Sequence, residues 1–297
     1  MDQSKTNQRT STLVGFTAIL MWGFLALFSK MAGDVPPLQL LAMSFLIGGL
    51  LGVASWPFRP NAISVLTSQK WQVWALNVGA LFGCHFLYFL AVRNAPVVEV
   101  SLLAYLWPLL IVVFSAFLPG ERLKWNHIAG VVLGLVGAFY VISKGSSFVL
   151  TNGIQLGHII AFPYAIFWAG FSVLIHKYGD VPSDIVAGFC LACAGLSGLF
   201  HSILEPTLWS MSSQQWIAVI GLGLFPMGAA FYAWDFGMKN GDRMVLGAAS
   251  YVAPMLSTFI LIIFGFAAYH WSIAVGCLLI TAGAVIAAKN MIFKKPI

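Results

Sequence analysis

Apolar stretches of membrane-spanning length, with at most one charged residue each, follow one another from one end of this chain to the other. A bilayer crossing takes about 20 apolar residues, and hydrocarbon tolerates only helices or closed barrels, because no water is present to bond a free backbone group. Ten such stretches are present, at roughly 12–31, 38–57, 72–92, 98–118, 126–143, 155–175, 184–204, 215–236, 244–265 and 271–289. They are continuously apolar instead of alternating residue by residue, so helices are expected and a barrel is not. The breaks carry turn chemistry: Gly33-Asp34 before Pro36-Pro37, Asn94 before Pro96, Pro119-Gly120, Asn152-Gly153, Gly179-Asp180 before Pro182, and Asn240-Gly241. Only 8% of the residues are charged, against about 25% in soluble domains, too few to give ten helices a polar face each. A soluble enzyme, a nucleic-acid module and a disordered chain are thereby excluded. The first stretch follows Lys5 and Arg9 as a signal peptide would, but it is long enough to span and is expected as a retained helix. The loops are too short for a soluble domain.

Charge placement sets an expected orientation. With both termini cytoplasmic, twelve Lys and Arg fall on the inner side and three (Lys30, Arg93 and Lys144) on the outer. That is a positive-inside bias, and the net charge of +6 is read as topology, not as a nucleic-acid footprint.

An internal repeat runs through the chain at a constant offset of 146 residues. Trp22 matches Trp168, Gly33-Asp34-Val35-Pro36 matches Gly179-Asp180-Val181-Pro182, and Gly49 and Gly52 match Gly195 and Gly198. Further along, Asn94 matches Asn240, Tyr105 and Pro108 match Tyr251 and Pro254, Trp125 matches Trp271, and Gly130 and Gly137 match Gly276 and Gly283. Each half, 1–146 and 147–297, carries five spans. Five is odd, so the second half must lie upside down relative to the first. The expected fold is an all-α integral membrane protein of ten helices in two inverted five-helix repeats, the architecture that supports alternating access.

With these features the chain resembles the drug/metabolite transporter superfamily, in its ten-helix branch of two EamA-type units, over about residues 10–143 and 156–289. The stretch Val98-Glu99-Val100-Ser101-Leu102-Leu103-Ala104-Tyr105-Leu106-Trp107-Pro108 resembles the aromatic amino acid exporters. So does Gly247-Ala248-Ala249-Ser250-Tyr251-Val252-Ala253-Pro254. The resemblance implies a bacterial inner-membrane exporter of aromatic amino acids and similar solutes, with no cofactor and no nucleotide-binding domain.

The residues themselves constrain the solute. Charge at membrane depth is costly, and here Lys and Arg keep to the helix ends while Glu99 and Asp235 lie near the surfaces. A small solute, neutral overall or zwitterionic, is expected, recognised by shape and apolar contact; this agrees with the aromatic solutes that the resemblance implies without singling them out from purines, other amino acids or drugs. Trp22 and Trp168 lie mid-span, away from the interfacial belts; Trp168 shares a helical face with Tyr164, Ala161, Ala165 and Ser172. His85 and Tyr88 share a face of the third helix, and the repeat maps them onto Phe231 and Trp234. Tyr88 and Trp234 are expected as paired outer and inner gates. On helices four and nine, Ser101, Tyr105 and Pro108, and Gly247, Tyr251 and Pro254, form stripes, with Pro108 and Pro254 as candidate hinges. Trp107 lies roughly 200° from Tyr105 on an ideal helix and joins the cavity only if the proline distorts it. The candidate cavity is therefore Trp22, His85, Tyr88, Tyr105, Trp107, Tyr164, Trp168, Trp234 and Tyr251.

Other features have plainer readings beside the functional ones. Glu99 at the outer mouth either binds an ammonium group, pairs with Arg93, or is solvated. His85 and His158 are either packing residues or proton relays. Cys190 and Cys193 are expected as small packing residues with no metal. Gly48/Gly52, Gly79/Gly83 and Gly130/Gly134 are expected to pack helices within one chain, with a monomer as the default. A drug or purine exporter is the alternative within transport. An intramembrane enzyme or a lipid scramblase is the alternative outside it, and the catalytic set or polar groove it needs does not stand out.

Overall fold

A computed structural model describes residues 3–59, 61–115, 125–142, 153–174, 181–241, 246 and 249–292 of the chain. All regular structure among them is helical. Uninterrupted helices cover the second, third, fifth, sixth, seventh and tenth expected stretches: α3 (Pro37–Val53), α5 (Trp71–Asn94), α8 (Trp125–Ile142), α9 (Leu156–Leu174), α10 (Ile185–Leu204) and α14 (Trp271–Ile292). The other four crossings are interrupted. The first is α1 (Gln3–Gly23) and α2 (Leu25–Met31), the fourth α6 (Val97–Ala104) and α7 (Trp107–Ser115). The eighth is α11 (Ser213–Leu224), a π turn over Phe225–Ala229, and α12 (Ala230–Asn240). A 3-10 turn at Ser250–Val252 leads into α13 (Ala253–Ile263) in the ninth.

Each interruption has a local cause. Pro108 has no N–H for the Ala104 carbonyl, and the fourth crossing breaks at Tyr105-Leu106. Its repeat counterpart, Pro254, opens α13, where the missing donor is an orphan in any case. Gly23 ends α1 where the Leu256 and Ile260 side chains of α13 press in, 2.7 and 3.3 Å from where a Cβ would stand. Pro226 sits in the π turn. Neither the bend after Gly23 nor the π turn was expected from the sequence. A further short helix, α4 (Ala62–Ser68), occupies the expected loop after the second crossing and is tied down by Trp74, whose indole donates to the Leu66 carbonyl at 3.3 Å.

The crossings pair as a two-fold exchange of the halves requires. α1 packs on α12 and α5 on α9, which are images of one another; α3 packs on α10 and α8 on α14, each pair its own image. The last pair shows the relative direction. A Cβ on Gly283 would stand 2.6 Å from the Gly130 carbonyl, and one on Gly137 would stand 3.0 Å from that of Gly276. The order of contacts reverses, so these equivalent helices run antiparallel. Asn94 and Asn240 close the third and eighth crossings alike, donating to the Leu90 and Phe236 carbonyls at 2.7 and 3.0 Å. With lipid on the outside there is no hydrophobic drive between helices, and such close backbone approach supplies the van der Waals contact that holds them. Gly48 and Gly52 behave this way against Met227 and Tyr232, whereas Gly79 and Gly83 face open space. The Gly79/Gly83 pair therefore does not pack a helix. Cys190 and Cys193 are buried thiols.

Candidate functional site

Four side chains from the two halves meet ring to ring across the exchange axis. Trp22 lies edge-on to Phe231 at 6.5 Å, and its image, Trp168 on His85, lies edge-on at 6.4 Å. The two pairs join where His85 meets Phe231 at 5.8 Å and 86°. Phe45 of α3, fully buried, covers this junction at 5.3 Å from His85 and 6.4 Å from Phe231. The row continues to Trp234, 5.1 Å from Trp22, and to Trp107, 6.4 Å from Trp168. Edge-to-face pairs of this kind contribute about 0.5–1.5 kcal/mol each beyond burial. The tryptophans and Phe231 remain partly exposed while His85 is buried.

Backbone breaks help to place these rings. The Trp22 indole donates to the Pro226 carbonyl at 3.2 Å, so the π turn gives that Trp a fixed partner. The break before α7 brings Trp107 to Trp168, against the roughly 200° separation from Tyr105 of an unbroken helix. His85 donates Nδ1–H to the Leu81 carbonyl at 2.8 Å; a carbonyl only accepts, so that contact places a proton on Nδ1. His85 is the one titratable side chain of the row. An aromatic ring lodged here would meet ring faces and edges and a single imidazole.

A second group lies beside the row. Tyr88 and Ser101 hydroxyls are 2.9 Å apart, and the Tyr88 ring is 5.6 Å from Tyr164, both tyrosines being buried. Tyr88 and Trp234 therefore occupy equivalent positions with different neighbours, a hydroxyl cluster for one and an indole for the other. Tyr105 stands at the break of the fourth crossing and is partly exposed; Pro254 is buried. The side chains of Tyr251 and Pro108 lie outside the described residues, as does Gly247.

Glu99 is largely buried and pairs with His158 instead of Arg93. Its Oε2 accepts from His158 Nε2–H at 2.7 Å, and the two side chains are only 12% and 4% exposed. The Gln155 N–H donates to His158 Nδ1 at 3.1 Å, so both ring nitrogens are occupied. The pair ties the start of α6 to the start of α9. Sequence reasoning placed Glu99 near the outer surface and left His158 as a packing residue or proton relay, with no way to join them, since they lie on different crossings. Phe45 was missed for the same reason; nothing in its own helix marks it. Among the described residues, no group of three His, Cys, Asp or Glu side chains could hold a metal ion.

The EamA-like transporter family model matches the chain twice, over residues 9–143 and 155–288, the second match beginning 146 residues after the first (155 − 9). The chain belongs to the EamA-like transporter family. Among its relatives, the aromatic amino acid exporter YddG of Ancylobacter novellus is 47% identical over 282 residues, 95% of this chain and 98% of that protein. The aromatic amino acid exporter YddG of Escherichia coli strain K12 is 23% identical over 94% of this chain and 97% of its own. A crystal structure of a protein 46% identical to this chain superposes with a TM-score of 0.74, covering 95% and 98% of the two chains. In this EamA-like transporter each contact along the row Trp22–Phe231–His85–Trp168 joins one matched segment to the other.

Proposed function

We propose that this transporter exports aromatic amino acids and similar neutral, hydrophobic metabolites by alternating access, in a bacterial inner membrane with both termini cytoplasmic. The row Trp22–Phe231–His85–Trp168 carries the reading. It is nearly its own image under exchange of the halves, so a solute held there keeps equivalent surroundings while units 1–146 and 147–297 tilt. It holds no carboxylate, Lys or Arg, which suits a solute neutral overall and leaves selection to ring contacts. The relationship at 47% identity to a YddG exporter points to the same solutes. One chain encloses the whole row, so a monomer suffices.

Counterflow tests this directly. Proteoliposomes loaded with unlabelled phenylalanine are expected to accumulate labelled phenylalanine from outside, well above empty liposomes. Folded protein that accumulates none rules out the amino acid. Competition by purines or drugs in the same vesicles separates the broad exporter, and an imposed pH gradient separates proton coupling from facilitated exchange.

A further inference from the structure

A cavity of about 250 Å³ lies between the second, seventh and eighth crossings, at the end of the bundle where α3 stops and α10 begins. The end of α3 and the turn after it contribute Ser55, Trp56 and Arg59, the approach to α10 contributes Ser183 and Asp184, and α12 contributes Tyr232. Tyr232 is two residues from Trp234, roughly 200° around the helix, so the cavity and the row of rings occupy different faces of α12.

The charges in its wall are of both signs and only partly used. Arg59 bonds Asp184 through one guanidinium nitrogen and one carboxylate oxygen, with the side chains 53% and 25% exposed. A guanidinium has five N–H donors and a carboxylate has two oxygens, so donors and an acceptor remain side by side. Lys239 is occupied elsewhere, on Asp235, the Ser183 hydroxyl and the Val181 carbonyl. Such a wall suits a ligand that carries an anion and an ammonium group a few ångströms apart.

The equivalent positions at the opposite end of the molecule are bonded differently. Repeat exchange carries Arg59 to Glu205 and Asp184 to Leu38. There the Glu205 carboxylate accepts from the Leu38 and Gln39 N–H groups at 3.0 and 3.3 Å, with His201 Nδ1 behind it at 3.0 Å. Protein groups bond the carboxylate there, whereas at the Arg59 end the ion pair borders the cavity.

Exposed apolar side chains flank the mouth. Leu51 in the wall is 39% exposed, its neighbour Leu50 53%, and Phe58 beside Arg59 87%. Trp56 and Tyr232 add the amphipathic rings typical of the headgroup level.

We infer that this cavity is a headgroup site for a phospholipid bearing a primary ammonium, with the phosphate on Arg59 and the ammonium on Asp184. A free amino acid offers the same pair of charges; the apolar, exposed mouth favours the lipid. The site stands independently of what the protein transports.

Thermal unfolding of the purified full chain tests it, titrated with dihexanoyl phosphatidylethanolamine, phosphatidylglycerol and phosphatidylcholine and with L-phenylalanine. Phosphatidylethanolamine is expected to raise the midpoint at the lowest concentration. Phosphatidylglycerol lacks the ammonium, and the quaternary nitrogen of phosphatidylcholine has no N–H to donate. Arg59→Gln is expected to raise the half-saturating concentration about tenfold, the scale of one charge-assisted hydrogen bond. Asp184→Asn is expected to spare the phosphatidylglycerol response and abolish the preference for phosphatidylethanolamine. Three results overturn the site: equal responses to all three lipids, a preference that survives Asp184→Asn, or an Arg59-dependent shift with phenylalanine but not lipid. Should Arg59→Gln fail to fold, Asp184→Asn decides alone, because it keeps the phosphate-binding side chain.

Discussion

Trp168 and Glu99 illustrate two ways in which a side chain near a transport path can matter. Trp168 touches His85, Trp107 and Phe171 by its ring while staying partly exposed. If it were only packing, Trp168→Ala would cost about 3–5 kcal/mol of stability. As part of a cavity it loses ring contacts with the solute instead. Counterflow is expected to fall about tenfold, the loss of one or two aromatic contacts, with folded yield nearly intact by size-exclusion chromatography. An aggregating variant whose residual folded fraction transports normally would make Trp168 a packing residue. Glu99 should behave oppositely. Glu99→Ala leaves the His158 Nε2–H buried without its acceptor, a penalty of about 1–3 kcal/mol, and should lower the melting midpoint. Glu99→Gln keeps an acceptor and should melt close to the parent. Equal melting of both variants would show that the pair contributes nothing to the fold.

Helix contacts show where the repeat is obeyed and where it is not. Gly137 and Gly283 are equivalent and both tight: a Cβ would stand 3.0 and 2.6 Å, respectively, from a backbone oxygen of the partner helix. Gly137→Ala should therefore reduce folded yield sharply, since backbone cannot yield as a side chain can. Gly52 and Gly198 are also equivalent but not alike. A Cβ on Gly52 would collide with the Tyr232 hydroxyl and stand 2.7 Å from the Ala187 Cβ, while Gly198 faces nothing within 4 Å. Gly52→Ala is expected to destabilise by about 1–3 kcal/mol through overpacking. Gly198→Ala should be neutral or gain up to about 1 kcal/mol from helix propensity. The counterpart of Tyr232 is Phe86. If tilting of the halves hands the tight contact from Gly52 and Tyr232 to Gly198 and Phe86, Gly198→Ala will slow counterflow without lowering the melting midpoint. Parent-like transport would show that this contact stays open throughout the cycle.

For the whole molecule the checkable quantity is orientation. Twelve of fifteen Lys and Arg residues fall on the side assigned to the cytoplasm, and loop charge decides insertion. A fluorescent protein fused to the C-terminus should therefore fold and fluoresce, and alkaline phosphatase fused there should be inactive. The reverse pattern would invert the assignment and move the Arg59 cavity to the outer leaflet.

The fold was legible because its causes are local or periodic. A spanning helix announces itself by length and lack of charge, and a duplication by matches such as Trp22 with Trp168 and Gly137 with Gly283. An odd number of spans then leaves inversion as the consistent arrangement. Even the break that brings Trp107 to Trp168 could be read from Pro108. The rest depends on which residues of different crossings meet, and the apolar periodicity of a buried membrane helix is too uniform to say so. Phe45 over His85 and Phe231, His158 on Glu99, the π turn at Pro226 and the open space beside Gly79 and Gly83 belong to that class. The sequence by itself determined ten helices, their duplication and Lys and Arg kept to the helix ends. Tertiary structure alone decided which side chains of different crossings meet, because helix–helix contact in a membrane is set by close packing of surfaces and not by the hydrophobicity that defines the helices.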